Sequence, residues 1–232
     1  MSEEDRSVFE LVGRAGDSIT AYGHHPDQII ELFKTPVPTI GDVALIHGGY
    51  WRPEYDRVHL RPLAQALAEQ GWCTHLIEYR RIPGNPDATL NDIKHALDAI
   101  GGCSLVGHSA GGHLALLAQS HESVRAVVAL APVSDLVTGD NENYDDGAIR
   151  EFLGVPATDR LDLNPQSNPA TNPITIIHGV EDIRVPVSQS RNFLALHNQV
   201  GYLELEETGH FELIDPRHDA FLLLTNELKK FL

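Results

Sequence analysis

The sequence predicts an α/β fold, a mostly parallel central sheet with helices on both faces, and three observations carry that prediction. Short β-branched runs alternate with longer stretches of helical period along most of the chain. Several of these runs are continuously apolar, as strands covered on both faces require. The 232 residues are 42% hydrophobic and 22% charged, enough apolar material for a full core.

The elements follow in order. Ser18 to Tyr22 and Gln28 to Phe33 read as an antiparallel hairpin on the sheet's edge, separated by the turn formers Gly23-His24-His25-Pro26-Asp27. Val43-Ala44-Leu45-Ile46 is a buried strand. Pro62 to Glu69 is a helix with Leu63, Ala66 and Leu67 on one face, stopped by Gly71. Cys73 to Glu78 is the next strand. Thr89 to Ile100 is a helix with Leu90, Ile93, Leu97 and Ile100 on its buried stripe, ended by Gly101-Gly102. Ser104-Leu105-Val106 is a strand, Ala110 to Gln119 a helix and Val124 to Leu130 a strand. Ile174 to Ile177, Val187 to Leu196, Tyr202 to Leu205 and Asp219 to Phe231 continue as strand, helix, strand and helix.

From Pro132 to Pro173 the alternation stops, with only a short helix near Ala148 to Leu153. A connection this long inside a compact domain is usually functional. It reads as a small cap over a site, so residues 1–232 are expected to form one domain with a cap insertion around 133–170.

The formal net charge is −16, from 17 Lys+Arg against 33 Asp+Glu. Such a balance repels phosphate backbones and anionic lipid headgroups, which argues against nucleic acid or membrane as partner. Met1-Ser2-Glu3-Glu4-Asp5-Arg6 lacks the apolar stretch of a secretory signal, and no segment has the apolar length of a membrane span. A cytoplasmic location is the expectation, and a homodimer stays open. Cys73 and Cys103 have neither metal-site spacing nor a disulfide framework and read as small core residues.

Gly107-His108-Ser109-Ala110-Gly111 lies directly after an apolar strand and before a helix. A serine hydroxyl is a poor nucleophile unless its backbone projects it clear of the sheet and a base reaches it; the flanking glycines allow the abrupt turn. The helix N-terminus places positive potential beneath the developing charge. His47-Gly48-Gly49-Tyr50-Trp51 ends another strand. Its N–H groups at Gly49 and Tyr50, with that of Ala110, are the expected donors to an oxyanion. His47 reads as a brace for that loop.

Thirteen histidines compete as base. Most lie in turns or on helix surfaces, His59 among them; His108 and His113 suit packing around the turn, and His178 a structural role. His210, in Thr208-Gly209-His210-Phe211 after the last strand, satisfies the order nucleophile, acid, histidine. Asp182, in His178-Gly179-Val180-Glu181-Asp182, is the favoured acid, with Glu181 and Asp215 as alternatives. Trp51, Tyr144 and Phe211 are expected to line the substrate pocket.

Together these motifs, with Tyr22-Gly23 and Pro26-Asp27-Gln28 near the start, resemble α/β-hydrolases of the esterase and kynurenine formamidase (arylformamidase) group. The resemblance implies the α/β-hydrolase fold and a Ser109–Asp182–His210 triad. It also implies that the strands holding Cys73 and Cys103 flank the Val43–Ile46 strand, roughly 9–10 Å apart and too far for a disulfide. The expected activity is hydrolysis of a small carboxylic ester or aryl formamide through an acyl-enzyme, with neither metal nor cofactor. A small-peptide or other amide hydrolase, and a non-catalytic ligand-binding protein on the same fold, are the alternatives.

Overall fold

The computed structural model describes residues 4–232; the very start of the segment read above as lacking a signal, 1–3, lies outside them. The N-terminal hairpin forms as β1 (Ser18–Ala21) and β2 (Ile29–Phe33), followed by β3 (Gly41–Ile46), α1 (Arg61–Glu69), β4 (Trp72–Ile77) and α2 (Pro86–Ile100). Next come β5 (Cys103–His108), α3 (Ala110–Ala118), β6 (Val124–Leu130), α4 (Leu136–Asn141) and α5 (Ala148–Leu153). The chain closes with β7 (Ile174–Gly179), α6 (Ser188–Leu196), β8 (Gly201–Leu205) and α7 (Asp219–Lys229).

The eight strands make one sheet in the order β1-β2-β4-β3-β5-β6-β7-β8. β3 to β8 run parallel, and only the β1–β2 hairpin is antiparallel to its neighbours. β4 and β5 flank β3, so Cys73 and Cys103 stand on either side of it, both as free thiols.

Alternation along each strand separates two apolar layers. Ala44, Ile46, Leu105 and Ile176 pack with Ile93, Leu97, Leu114 and Phe193 from α2, α3 and α6. Val43, Leu45, Val106 and Ile177 pack with Leu63, Leu67, Leu224 and Leu228 from α1 and α7. Both faces are covered, which is why the strands are continuously apolar.

A boundary, a buried face and an added helix differ from the sequence reading. α2 begins at Pro86, because the Asn85 side chain accepts from the Ala88 N–H at 3.3 Å and proline fits the first turn. α1 buries Ala64 and Ala68 with Leu63 and Leu67, leaving Ala66 half-buried. The 132–173 connection holds no strand, as read, but contains the additional short helix α4, capped by Asp135. Among the described residues no helix is long and apolar enough to cross a membrane.

Candidate active site

The turn from β5 into α3 places Ser109 at φ 59°, ψ −121°, a strained conformation for a residue with a side chain. Three backbone bonds hold it: its N–H donates to Leu130 O at 2.8 Å, and its carbonyl accepts from His113 N–H at 3.1 Å and Val133 N–H at 3.4 Å. Only glycine fits on either side. A Cβ at Gly111 would lie 2.2 Å from Ile46 O, and one at Gly107 would lie 2.2 Å from Gly111 O. The elbow is therefore pressed against the end of β3.

The loop after β3 meets that elbow. A Cβ on Gly48 would come within 2.9 Å of Ser109 Cβ. Gly49, Tyr50 and Trp51 follow with three successive positive φ angles, 104°, 48° and 56°. Among the described residues the N–H groups of Gly49, Tyr50 and Ala110 have no acceptor, which leaves these donors free for a ligand oxygen.

Buried charges brace this loop. His47 stacks on Tyr79 with centroids 4.4 Å apart, and its Nε2 lies 3.0 Å from Glu78 Oε1. Glu78 also accepts from the backbone N–H of Arg57 and Tyr79, and pairs with Arg81. Burial opposes the charge of Glu78, yet the hydrogen bond and charge of His47 and the Arg81 guanidinium outweigh it and hold its carboxyl well below the usual range.

His210 and Asp182 meet where the loops after β8 and β7 converge. His210 Nδ1–H donates to Asp182 Oδ2 at 2.6 Å. Asp182 Oδ1 accepts the backbone N–H groups of Arg184 and Val185, each at 2.8 Å, and His178 Nε2 lies 3.3 Å from Oδ2. Burial opposes the Asp182 charge, but His210 and His178 overcome it and hold the carboxyl well below its usual range. Glu181 is exposed, and Asp215 pairs with Arg217 at 2.6 Å, so neither touches His210. His108 donates from Nε2 to His210 O at 3.1 Å and packs ring against ring at 4.5 Å, fixing the loop. Ser109 and His210 line one cavity of about 320 Å³ together with Gly49 and Tyr50. They share no direct hydrogen bond; such contacts are often long before substrate binds.

Residues 33–196 match the BD-FAE family. The chain belongs to that family. The BD-FAE chain is 28% identical to esterase LipC of Mycobacterium tuberculosis over 90% of its own length and 64% of LipC. It is 30% identical to LipM of the same organism, described as a probable carboxylic ester hydrolase, over 78% of its own length and 52% of LipM. The chain thus spans about half to two thirds of these relatives. Esterase B from Lactobacillus rhamnosis superposes with a TM-score of 0.74 at 22% identity, covering 94% of this chain and 87% of that one. The fold is that of the α/β-hydrolases.

In the BD-FAE chain two of the three expected pocket residues lie elsewhere. Trp51 is buried, stacked on Phe152 at 4.6 Å and edge-on to His113 at 5.0 Å. Its indole lies in the core, outside the cavity lining. Tyr144 is also buried, its hydroxyl accepting from Gln189 Nε2 at 3.5 Å. Phe211 does line the cavity.

The remaining walls were not foreseen. Phe9, Tyr55, His59, Asp145 and Arg184 line the cavity, with Arg6 at the rim. Phe9 sits in a 3-10 turn, Ser7–Glu10, edge-on to Phe211 at 4.8 Å, while the Arg6 guanidinium lies 5.4 Å from both rings. Glu4 ties this segment down through two 2.8 Å bonds to the Arg184 guanidinium. Of the 132–173 connection only Asp145 reaches the cavity; most of it packs elsewhere, as when Leu163 O accepts from His113 Nε2 on α3. The sole clue to the N-terminal wall is the apolar pair Val8-Phe9 amid charged residues. Burial, reinforced by His47, lowers the His59 pKa to about 4, so its ring is neutral at pH 7.

Proposed function

We propose that this chain hydrolyses small carboxylic esters through an acyl-enzyme on Ser109. The observation that carries the reading is the His210–Asp182 hydrogen bond at a cavity whose floor is Ser109 on a strained elbow. Asp182 fixes the His210 tautomer with the proton on Nδ1, which leaves Nε2 a free base. His210 takes the Ser109 proton as Oγ bonds to the ester carbonyl carbon. The oxyanion so formed is received by the N–H groups of Gly49, Tyr50 and Ala110. The ester C–O bond then breaks and the alcohol leaves with the proton from His210. Water, activated by the same imidazole, adds to the acyl carbon and releases the acid and Ser109.

The relatives named as esterases support an ester substrate. The cavity volume and its rings, Phe9, Tyr55 and Phe211, favour a compact, partly aromatic one. The same attack would open an aryl formamide, so p-nitrophenyl acetate and N-formylkynurenine are the paired substrates to compare. A fluorophosphonate probe should label the wild type and leave Ser109→Ala unlabelled, with ester turnover of that variant at background. Labelling or turnover retained in Ser109→Ala removes the assignment.

A further inference from the structure

We propose a divalent-cation site of the zinc class at the amino-terminal edge of the sheet, formed by Asp42, Cys73 and His75. One donor atom from each of the three side chains lies within 4.8 Å of the others. The placement follows from strand geometry. Asp42 on β3 is the direct cross-strand partner of Cys73 on β4, and His75 stands two residues further along β4, hence on the same face. His75 Nε2 lies 2.9 Å from Asp42 Oδ1. All three are half-buried, so a cation reaches them from solvent while the strands beneath hold them in place.

The donor set decides the class of ion. A thiol, an imidazole and a carboxylate are the ligand types of zinc and its analogues, whereas magnesium and calcium take oxygen alone. Tetrahedral zinc needs its ligand atoms about 3.3–3.8 Å apart, a spacing these donors reach by side-chain adjustment, with water in the fourth position. Among the described residues Asp42 has no lysine or arginine within ion-pair distance; His75 is its one ion-pair partner. The carboxylate charge is thus left for a cation to neutralise. Binding releases the Cys73 thiol proton as the sulfur–metal bond forms. Cys103, fully buried on the other side of β3, stands outside the cluster.

The site is independent of ester hydrolysis. Val43 on β3 pairs with Ser104 on β5, and Ser109 lies five residues further toward the carboxyl edge, on the order of 17 Å away. The metal takes no part in acyl transfer, and the proposal stands or falls apart from that chemistry.

The test uses metal-stripped, tag-free full chain titrated with Co²⁺ alone and with Zn²⁺ alone. One equivalent of Co²⁺ should produce a thiolate-to-cobalt charge-transfer band, and Zn²⁺ should displace it and raise the melting temperature. Cys73→Ser should abolish the band. Asp42→Asn and His75→Ala should each weaken binding by at least about tenfold, while Cys103→Ser keeps the wild-type titration. Cys73→Ser changes one atom on a half-exposed strand position, so it carries the test if His75→Ala fails to fold. Absence of saturable one-equivalent binding up to 1 mM, or a band that survives Cys73→Ser or vanishes in Cys103→Ser, overturns the proposal.

Discussion

Asp182→Asn isolates the orienting role of the acid. The exchange conserves volume, and the retained oxygen can still accept the Arg184 and Val185 N–H groups now bonded at 2.8 Å. The new NH₂ then faces His210 Nδ1, where Oδ2 now accepts at 2.6 Å. A donor there favours the tautomer protonated on Nε2, which cannot take the Ser109 proton. Loss of the correct tautomer costs about 10⁴-fold in kcat for the equivalent exchange in a triad, or about 5.4 kcal/mol of barrier. His178 Nε2 also loses the Oδ2 oxygen 3.3 Å away, but the ring keeps its bonds to Ser190 Oγ and Val185 O at 2.6 and 2.9 Å. Folding should therefore survive, with a melting temperature within a few degrees of wild type. The assay is kcat and KM for p-nitrophenyl acetate beside a thermal melt. A folded Asp182→Asn protein with kcat within tenfold of wild type would refute the orientation argument.

Three further outcomes follow from the same geometry. Glu78→Gln removes the charge that pairs with Arg81 and braces His47; breaking a buried pair costs about 3–5 kcal/mol, and the loosened oxyanion loop should lower kcat more than it raises KM in steady-state kinetics. Phe9→Ala opens the wall it shares with Phe211, so KM for esters carrying an aromatic ring should rise several-fold while that for simple alkyl acetates changes little, measured across a substrate panel. Half-buried His59 and fully buried His113 are lowered to about 4, and buried His108 well below the ordinary value, desolvation being the largest cause in each. The unfolded chain protonates them near 6.5, so stability should be full above that value and fall as pH drops from 6.5 to 4. For fully buried His113 the loss reaches about 3 kcal/mol. Urea unfolding at pH 7, 5.5 and 4.5 checks this: a flat profile contradicts it, and His113→Gln should lessen the slope. The depressed carboxyls of Asp182 and Glu78 add stability that is present above about pH 4 and lost below it.

Local chemistry explains what the sequence revealed. Gly107, Ser109 and Gly111 are legible because only that pattern permits an abrupt strand-to-helix turn, and the strands because a doubly covered sheet needs continuous apolar runs. Asp182 and His210 are legible by chain order and by their position after strands. α4 is hidden because Thr138 and Gly139 are poor helix formers; its Asp135 cap and the close packing of Gly139 on Ile149 hold it instead. Trp51 and Tyr144 mislead for a related reason. Whether a ring enters a cavity or the core depends on long-range partners that sequence does not state, Phe152 and His113 for Trp51 and Gln189 for Tyr144. The Glu4–Glu10 wall has no period to read, and its position rests on long-range contacts with Arg184 and Phe211. Asp42, Cys73 and His75 converge only once the β3–β4 register is known.

Arg184 shows how the unforeseen wall is joined to the foreseen site. Its N–H bonds the Asp182 carboxylate at 2.8 Å, its carbonyl accepts the Tyr50 hydroxyl at 2.6 Å, and its guanidinium holds Glu4. The first two bonds belong to the backbone and serve the acid and the oxyanion loop whatever side chain stands at this position. The third belongs to the side chain and serves the N-terminal segment, with a longer 3.9 Å ion pair to Asp145 beside it. One residue therefore registers three separate stretches of chain, yet the two duties are chemically separable. Its backbone groups steady the reacting groups, and the shape of the cavity is set by an ion pair that solvent and salt can reach. The walls around Phe9 are free to change while Asp182 and the loop at Tyr50 stay fixed, which is the separation a hydrolase fold needs to vary its substrate without rebuilding its chemistry.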